Sequence, residues 1–277
     1  MAATTRRQRR PALARGRAAL AGYVRKRAFA PRYGPEHQLS LVTDDGVCLA
    51  AARIPGPPDA LGTIVLVHGF SQSSRMPRIH TFAHRLARRV HVIVPDLRGH
   101  GASGGLCSLG AKEPLDVKAA VEAADPSLPV VTVGISLGGA AVLLHGGTYR
   151  GVAGVVAVSA PAWWGPSETP ATRRIHRYAT TAAGRRFLAV FMRTRLAEVC
   201  EGVPHAEAQA AAIAPAFTLV VADPADHYFA EAHPRTIYRW ANEPKDLWLL
   251  PGTGHGTDLL SPAFSDRLLD ELDRRLG

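Results

Sequence analysis

The stretch that most constrains this chain is Pro129-Val130-Val131-Thr132-Val133-Gly134-Ile135-Ser136-Leu137-Gly138-Gly139-Ala140-Ala141-Val142-Leu143-Leu144. A β-branched run halts at Gly134, and a small-residue, leucine-rich helical pattern starts just after Ser136. Strand, sharp turn and helix in so few residues leave room only for small neighbours, which accounts for Gly134 and Gly138 two positions on either side of the serine. A Gly-x-Ser-x-Gly turn of this kind holds its serine in strained backbone geometry and lifts the hydroxyl off the sheet edge. The unpaired N–H groups of a helix beginning at Leu137 would favour negative charge developing beside that hydroxyl. A glycine-rich turn with an incidental serine has the same short pattern, so the flanking chain has to decide between them.

That flanking chain alternates. His37 to Thr43 and Val47 to Arg53 are strand-like and joined by Asp44-Asp45-Gly46, a hairpin signal. Apolar runs at Thr63 to Val67, Val90 to Val94, Val130 to Val133 and Val152 to Val158 are separated by helical periodicities at Arg75 to Arg89, Leu115 to Ala124 and Leu137 to His145. This order predicts an α/β fold: a doubly wound, mostly parallel sheet with helices on both faces. Residues 161–215 interrupt it with an Ala- and Arg-rich helical segment that opens on Trp163-Trp164 and offers no strand, so it reads as an inserted cap. Strands resume at Phe217 to Ala222 and Leu247 to Leu250, followed by an amphipathic helix from Pro262 to Leu276. The expected organisation is a basic extension over 1–36, a core over 37–160, the cap over 161–215 and the rest of the core over 216–277. No internal repeat is present.

A serine hydroxyl is a poor nucleophile at neutral pH, so it needs a base, and the base needs an orienting acid. In a doubly wound sheet these belong at the carboxyl ends of later strands. Asp223-Pro224-Ala225-Asp226-His227 follows one later strand, and Pro251-Gly252-Thr253-Gly254-His255-Gly256 follows the next. Of the twelve histidines, His255 stands where the base is needed, with small neighbours that free its ring to reach Ser136. Asp226, one short turn beyond its strand, is the favoured acid over Asp223. Acyl transfer also needs two donors for an oxyanion. The Leu137 N–H supplies one; Val67-His68-Gly69-Phe70-Ser71 after the first buried strand supplies the Phe70 N–H as the second. His68 and Ser71 read as buried hydrogen-bonding support, and Trp163 and Trp164 as wall residues of a substrate pocket under the cap.

Two other signals give way on inspection. Gly99-His100-Gly101-Ala102-Ser103-Gly104 matches a dinucleotide-binding glycine pattern, but Pro95-Asp96-Leu97-Arg98 separates it from the strand and no helical run starts at Gly104. The net charge of +10 suggests a nucleic-acid binder until it is located: ten Lys and Arg and no acid lie within the first 32 residues, leaving 23 against 23 beyond them. The tail is therefore the expected basic surface, as a solvated extension or in contact with anionic membrane or nucleic acid. No apolar run approaches the ~20 residues needed to span a bilayer. Cys48, Cys107 and Cys200 are scattered and odd in number, which fits a reducing, cytoplasmic compartment, with a peripheral place at the membrane if the tail binds lipid.

His68-Gly69-Phe70, Asp96-Leu97-Arg98-Gly99-His100-Gly101-Ala102-Ser103, Gly134-Ile135-Ser136-Leu137-Gly138, Asp226 and Gly254-His255-Gly256 together resemble the α/β-hydrolase superfamily. They look most like its small-capped esterase and monoacylglycerol-lipase-type branch. The likeness runs from about Leu39 to the C-terminus, is weakest in the cap and leaves out the tail. It implies that the Asp96 to Ser103 loop is structural, supporting the mouth of the site. It also implies a serine hydrolase of carboxylic esters, lipid or acylglycerol esters among them, with no metal or cofactor. Ala222-Asp223 departs from the His-Gly or Gly that relatives often carry before the acid, which keeps both Asp223 and Asp226 open. Ser136 is unlike the nucleophilic aspartate of haloalkane dehalogenases and epoxide hydrolases. A non-catalytic scaffold acting as a binding protein and an acyltransferase working through the same acyl-enzyme are the rival expectations.

Overall fold

The computed structural model describes residues 33–34, 37–164, 169–198 and 204–277. The expectations for the basic tail and for Cys200 fall on residues outside these. Eight strands form one sheet: β1 Gln38–Val42, β2 Cys48–Ile54, β3 Thr63–Val67, β4 His91–Pro95, β5 Val130–Ile135, β6 Gly154–Val158, β7 Phe217–Ala222 and β8 Lys245–Leu249. Their spatial order is β1-β2-β4-β3-β5-β6-β7-β8. β2 runs antiparallel to both β1 and β4, and all other neighbours are parallel. The Asp44-Asp45-Gly46 turn closes the β1–β2 hairpin, with Gly46 at φ 80° donating to the Thr43 carbonyl.

Eight helices occur among the described residues: α1 Pro77–Leu86, α2 Glu113–Glu122, α3 Leu137–Thr148, α4 Pro170–Thr180, α5 Ala182–Phe191, α6 Ala206–Ala210, α7 Ala232–Trp240 and α8 Pro262–Leu276. Prolines at the first or second helical position, where no N–H is missed, set the starts of α1, α2, α4 and α8. The first two helices accordingly begin at Pro77 and Glu113 rather than at Arg75 and Leu115.

Alternation along the buried strands assigns the two faces. In β3, Ile64 and Leu66 join Ile79, Phe82 and Leu86 of α1 and Leu268, Leu269 and Leu272 of α8 in one core. Val65 and Val67 join Val117 of α2, Leu143 of α3 and Ile237 of α7 in the other. Both faces of β3 are thus covered, which is why its sequence is continuously apolar. Among the described residues, no helix is long and apolar enough to cross a membrane.

Residues 161–215 hold two different structures. α4 and α5 lie above the carboxyl edge of the sheet and line the cavity described below. α6 instead packs Ala206 and Ala210 into the core beside α3, where Gly147 brings that helix against Gln209. No strand forms in this stretch among the described residues, but two isolated bridges, His100 to Thr194 and Cys107 to Leu196, tie the end of α5 to the loop after β4.

The chain leaves β3 in one direction for β4 and returns across it to β5, so the sheet reverses its winding between β3 and β5. Crevices in such sheets open at the carboxyl ends of the two strands flanking that reversal. Gly69-Phe70 follows β3 and Ser136 follows β5.

Candidate active site

Ser136 sits between β5 and α3 with φ 54° and ψ −113°, a conformation that side-chain-bearing residues rarely adopt. The close packing around it explains the flanking glycines. A Cβ on Gly134 would lie 2.2 Å from the Gly138 carbonyl oxygen, and one on Gly138 would lie 2.4 Å from that of Val67. The Ser136 N–H donates to the Val158 carbonyl at 2.8 Å, which ties the turn to β6.

His255 Nε2 lies 3.0 Å from Ser136 Oγ, and His255 Nδ1 lies 2.6 Å from Asp226 Oδ2. A carboxylate only accepts, so Nδ1 carries the hydrogen and Nε2 is left to accept from the serine hydroxyl. The Asp226 side chain is 1% exposed and that of His255 12%. The other carboxylate oxygen of Asp226 accepts from the Tyr228 N–H at 2.7 Å and from the Phe229 N–H at 3.4 Å, so its orientation is set by its own turn. Tyr228 lies against the imidazole with ring centroids 4.3 Å apart.

The two aspartates therefore separate. Asp223, directly after β7, caps the turn by accepting from Ala225 N at 2.9 Å and reaches across to Gly254 N at 2.8 Å. Those N–H donors, Gly254 first, hold its carboxyl below the ordinary carboxylate range. Asp223 thus fixes the loop that carries His255, while Asp226 touches the ring. Gly254 and Gly256 adopt φ of 86° and 61°, which turns the chain on both sides of His255, and Gly256 N donates to Ser159 Oγ at 3.0 Å.

The other wall comes from the loop after β3. His68 is fully buried, and burial pushes its imidazole toward the neutral form. Its Nε2 accepts from Leu97 N at 3.0 Å, so Nδ1 donates to the Gly69 carbonyl at 2.8 Å. In a trans peptide the carbonyl and the following N–H point in opposite directions. With the Gly69 carbonyl turned toward the His68 ring, the Phe70 N–H faces away from it. Gly69 has no side chain to intervene: a Cβ there would come within 3.3 Å of Ser136 Cβ. The Asp96 to Ser103 loop is scaffolding. Asp96 accepts from Ser74 N and Ala102 N, and Arg98 is buried between Asp116 and Asp45.

A cavity of about 360 Å³ opens over Ser136, His255, Phe70 and Leu137. Its walls are largely apolar and aromatic, with Leu109, Met76 and Phe229 from the core side and Ile175, Tyr178, Phe187, Leu188 and Met192 from α4, α5 and the residue after them. Trp164 lines this cavity, whereas Trp163 stacks on His233 at 4.0 Å between ring centroids and is not among the lining residues. Tyr228 and Arg174 belong to the site without having been marked by sequence patterning. For Arg174 the available signal was its spacing one and four positions before Ile175 and Tyr178, which puts all three on one side of a helix.

Known proteins match this arrangement at two levels. A Pyrococcus furiosus esterase, Pf2001, superposes with a TM-score of 0.70 at 18% identity, covering 90% of this chain and 98% of that one. A hydrolase from Pseudomonas aeruginosa gives a TM-score of 0.64 at 22% identity, covering 88% and 100%. In sequence, a monoacylglycerol lipase from Mycolicibacterium smegmatis is 35% identical over 111 residues, a stretch that spans 38% of this chain and 39% of that relative. The sequence signature of the alpha/beta hydrolase family matches residues 64–275, most of the chain, and the protein belongs to that family.

Proposed function

We propose that the protein is a serine hydrolase that cleaves carboxylic esters through an acyl-enzyme on Ser136. The observation that carries this reading is the unbroken relay from Asp226 through His255 to Ser136, at 2.6 and 3.0 Å, opening on a largely apolar cavity. The Pyrococcus esterase fold and the partial likeness to a monoacylglycerol lipase support an ester as the substrate.

In this mechanism His255 Nε2 takes the hydroxyl proton as Ser136 Oγ attacks the ester carbonyl carbon. Charge moves to the carbonyl oxygen, which the Leu137 and Phe70 N–H groups receive. Asp226 holds the ring in the tautomer that can accept and stabilises the imidazolium that results. His255 then gives its proton to the leaving alkoxide as the carbon–oxygen bond breaks, and the acyl group stays on Ser136. A water repeats the sequence: it loses a proton to His255 as its oxygen bonds the acyl carbon, the bond to Ser136 Oγ breaks, His255 returns the proton to that oxygen and the acid leaves. Trp164 borders the acyl or alcohol portion under α4 and α5.

Incubation with a fluorophosphonate probe tests the assignment. Covalent labelling of the wild-type protein and none of Ser136→Ala is the expected result. An unlabelled wild type would mark the fold as a binding scaffold. Product ratios with an added alcohol acceptor separate hydrolysis from acyl transfer.

A further inference from the structure

The cavity wall contains a single formally charged side chain, Arg174 on α4, and no carboxylate among the described residues. The Arg174 side chain makes no hydrogen bond or ion pair with any described residue, unlike those of Arg98, Arg235 and Arg275, each held by an acid. Its setting is electrostatically one-sided. Residues 169–197, which hold α4 and α5, contain seven arginines and no aspartate or glutamate. Lys+Arg and Asp+Glu balance at 23 each over residues 33–277, so outside 169–197 this part of the sequence carries sixteen bases against twenty-three acids, with Glu168 and Glu198 flanking the basic segment. Beyond the first 32 residues, the excess of positive charge is therefore concentrated in the segment that covers the site.

An arginine is not needed to enclose an apolar ester; Arg174 borders the cavity on an exposed stretch of α4, where its guanidinium is within reach of a substrate group extending from under that helix. Five fixed N–H donors suit a carboxylate or a phosphate, and a basic segment over a cavity wall without carboxylates would draw such a group in. We infer that the preferred substrate is an amphiphilic ester with an anionic group on the portion lying under α4, and that Arg174 recognises that group. This rests on the ester-hydrolase reading for its chemistry. Arg174 would act in specificity, with no part in proton transfer.

Two experiments test it, one of them independent of turnover. The first compares p-nitrophenyl half-esters of straight-chain dicarboxylic acids of graded length with p-nitrophenyl esters of equal length ending in a neutral amide. For at least one length the anionic ester should be preferred about tenfold in kcat/KM, as a charge-assisted hydrogen bond implies. The preference should shrink with added salt and fall to near unity in Arg174→Gln. A neutral ester used equally well at every length, or a preference that survives Arg174→Gln, overturns the inference.

The second measures calorimetric binding of hexyl phosphate, hexanoate and hexanol to the Ser136→Ala protein. At least one anion should bind about tenfold more tightly than the alcohol, and the difference should vanish when Arg174→Gln is added. The tighter of the two anions identifies the headgroup chemistry. Equal binding of all three overturns the anion assignment even if esters are cleaved. Loss of fluorophosphonate labelling, by contrast, bears only on the hydrolase reading.

Discussion

Asp226 and Asp223 stand three residues apart, yet one meets an imidazole and the other a backbone N–H, and the difference is one turn of chain. The Asp223 carbonyl accepts from Asp226 N and closes that turn, carrying the second carboxylate around to face β8. Replacing Asp226 by Asn leaves an amide that cannot hold the accepting tautomer, so turnover should fall roughly 10²–10⁴-fold with labelling of Ser136 slowed in parallel. Asp223→Asn keeps one acceptor oxygen, enough for Gly254 N at the loss of the bond to Ala225 N, and its turnover should stay within about tenfold of wild type. Steady-state assay of both variants on one p-nitrophenyl ester checks the pair. The sequence placed the serine, the histidine and both aspartates at strand ends. It left the choice between the acids to a local turn, because either carboxylate was within reach of a ring on the next strand. Arg174 was invisible for a different reason: an arginine on a helix is ordinarily solvated, and only the fold shows that this one borders a cavity.

At the scale of elements, the β5–α3 turn is where the backbone approaches itself most closely. A methyl on Gly134 would meet the Gly138 carbonyl oxygen at 2.2 Å, within the rigid start of a helix. Gly134→Ala should therefore lower stability by about 2 kcal/mol or more in urea titrations, and activity with it. The two tryptophans divide similarly. Trp164→Ala should shift the chain-length profile for p-nitrophenyl esters, because its ring lines the cavity. Trp163→Ala should leave that profile unchanged and lower the melting temperature, because its ring stacks on His233. The strands and helices themselves were legible from periodicity, since β3 to β7 are buried on both faces and read as unbroken apolar runs. The cap region was less so: 161–215 is uniformly helical in pattern, and nothing in an Ala-rich sequence tells helices over a cavity from α6, which packs beside α3.

On mild acidification His145, His68 and Asp45 should each weaken the fold, while Asp116, whose carboxyl burial raises to about 7, works in the opposite sense. Burial pushes the His145 imidazole down to about 4 and depresses that of His68, and the Arg98 guanidinium pulls Asp45 down to about 2. His145, His68 and Asp45 each bind fewer protons folded than unfolded, so their contribution is present above the unfolded value and is lost as pH falls. The histidine part should decline from about pH 6.5 toward pH 4, with up to about 3 kcal/mol from His145, and the Asp45 part from about pH 4 toward pH 2. Urea titrations between pH 7 and pH 4 on wild type and His145→Leu measure the His145 part as the difference between the two slopes, the wild type losing more stability toward pH 4. The backbone of Ser136 bears on the same ledger from the opposite side. At φ 54° and ψ −113° a side chain is strained by about 1–3 kcal/mol, and glycine is not. Ser136→Gly should melt above Ser136→Ala, and any campaign that selects this protein for heat resistance alone would be drawn toward that glycine and arrive at a sturdier, inert molecule.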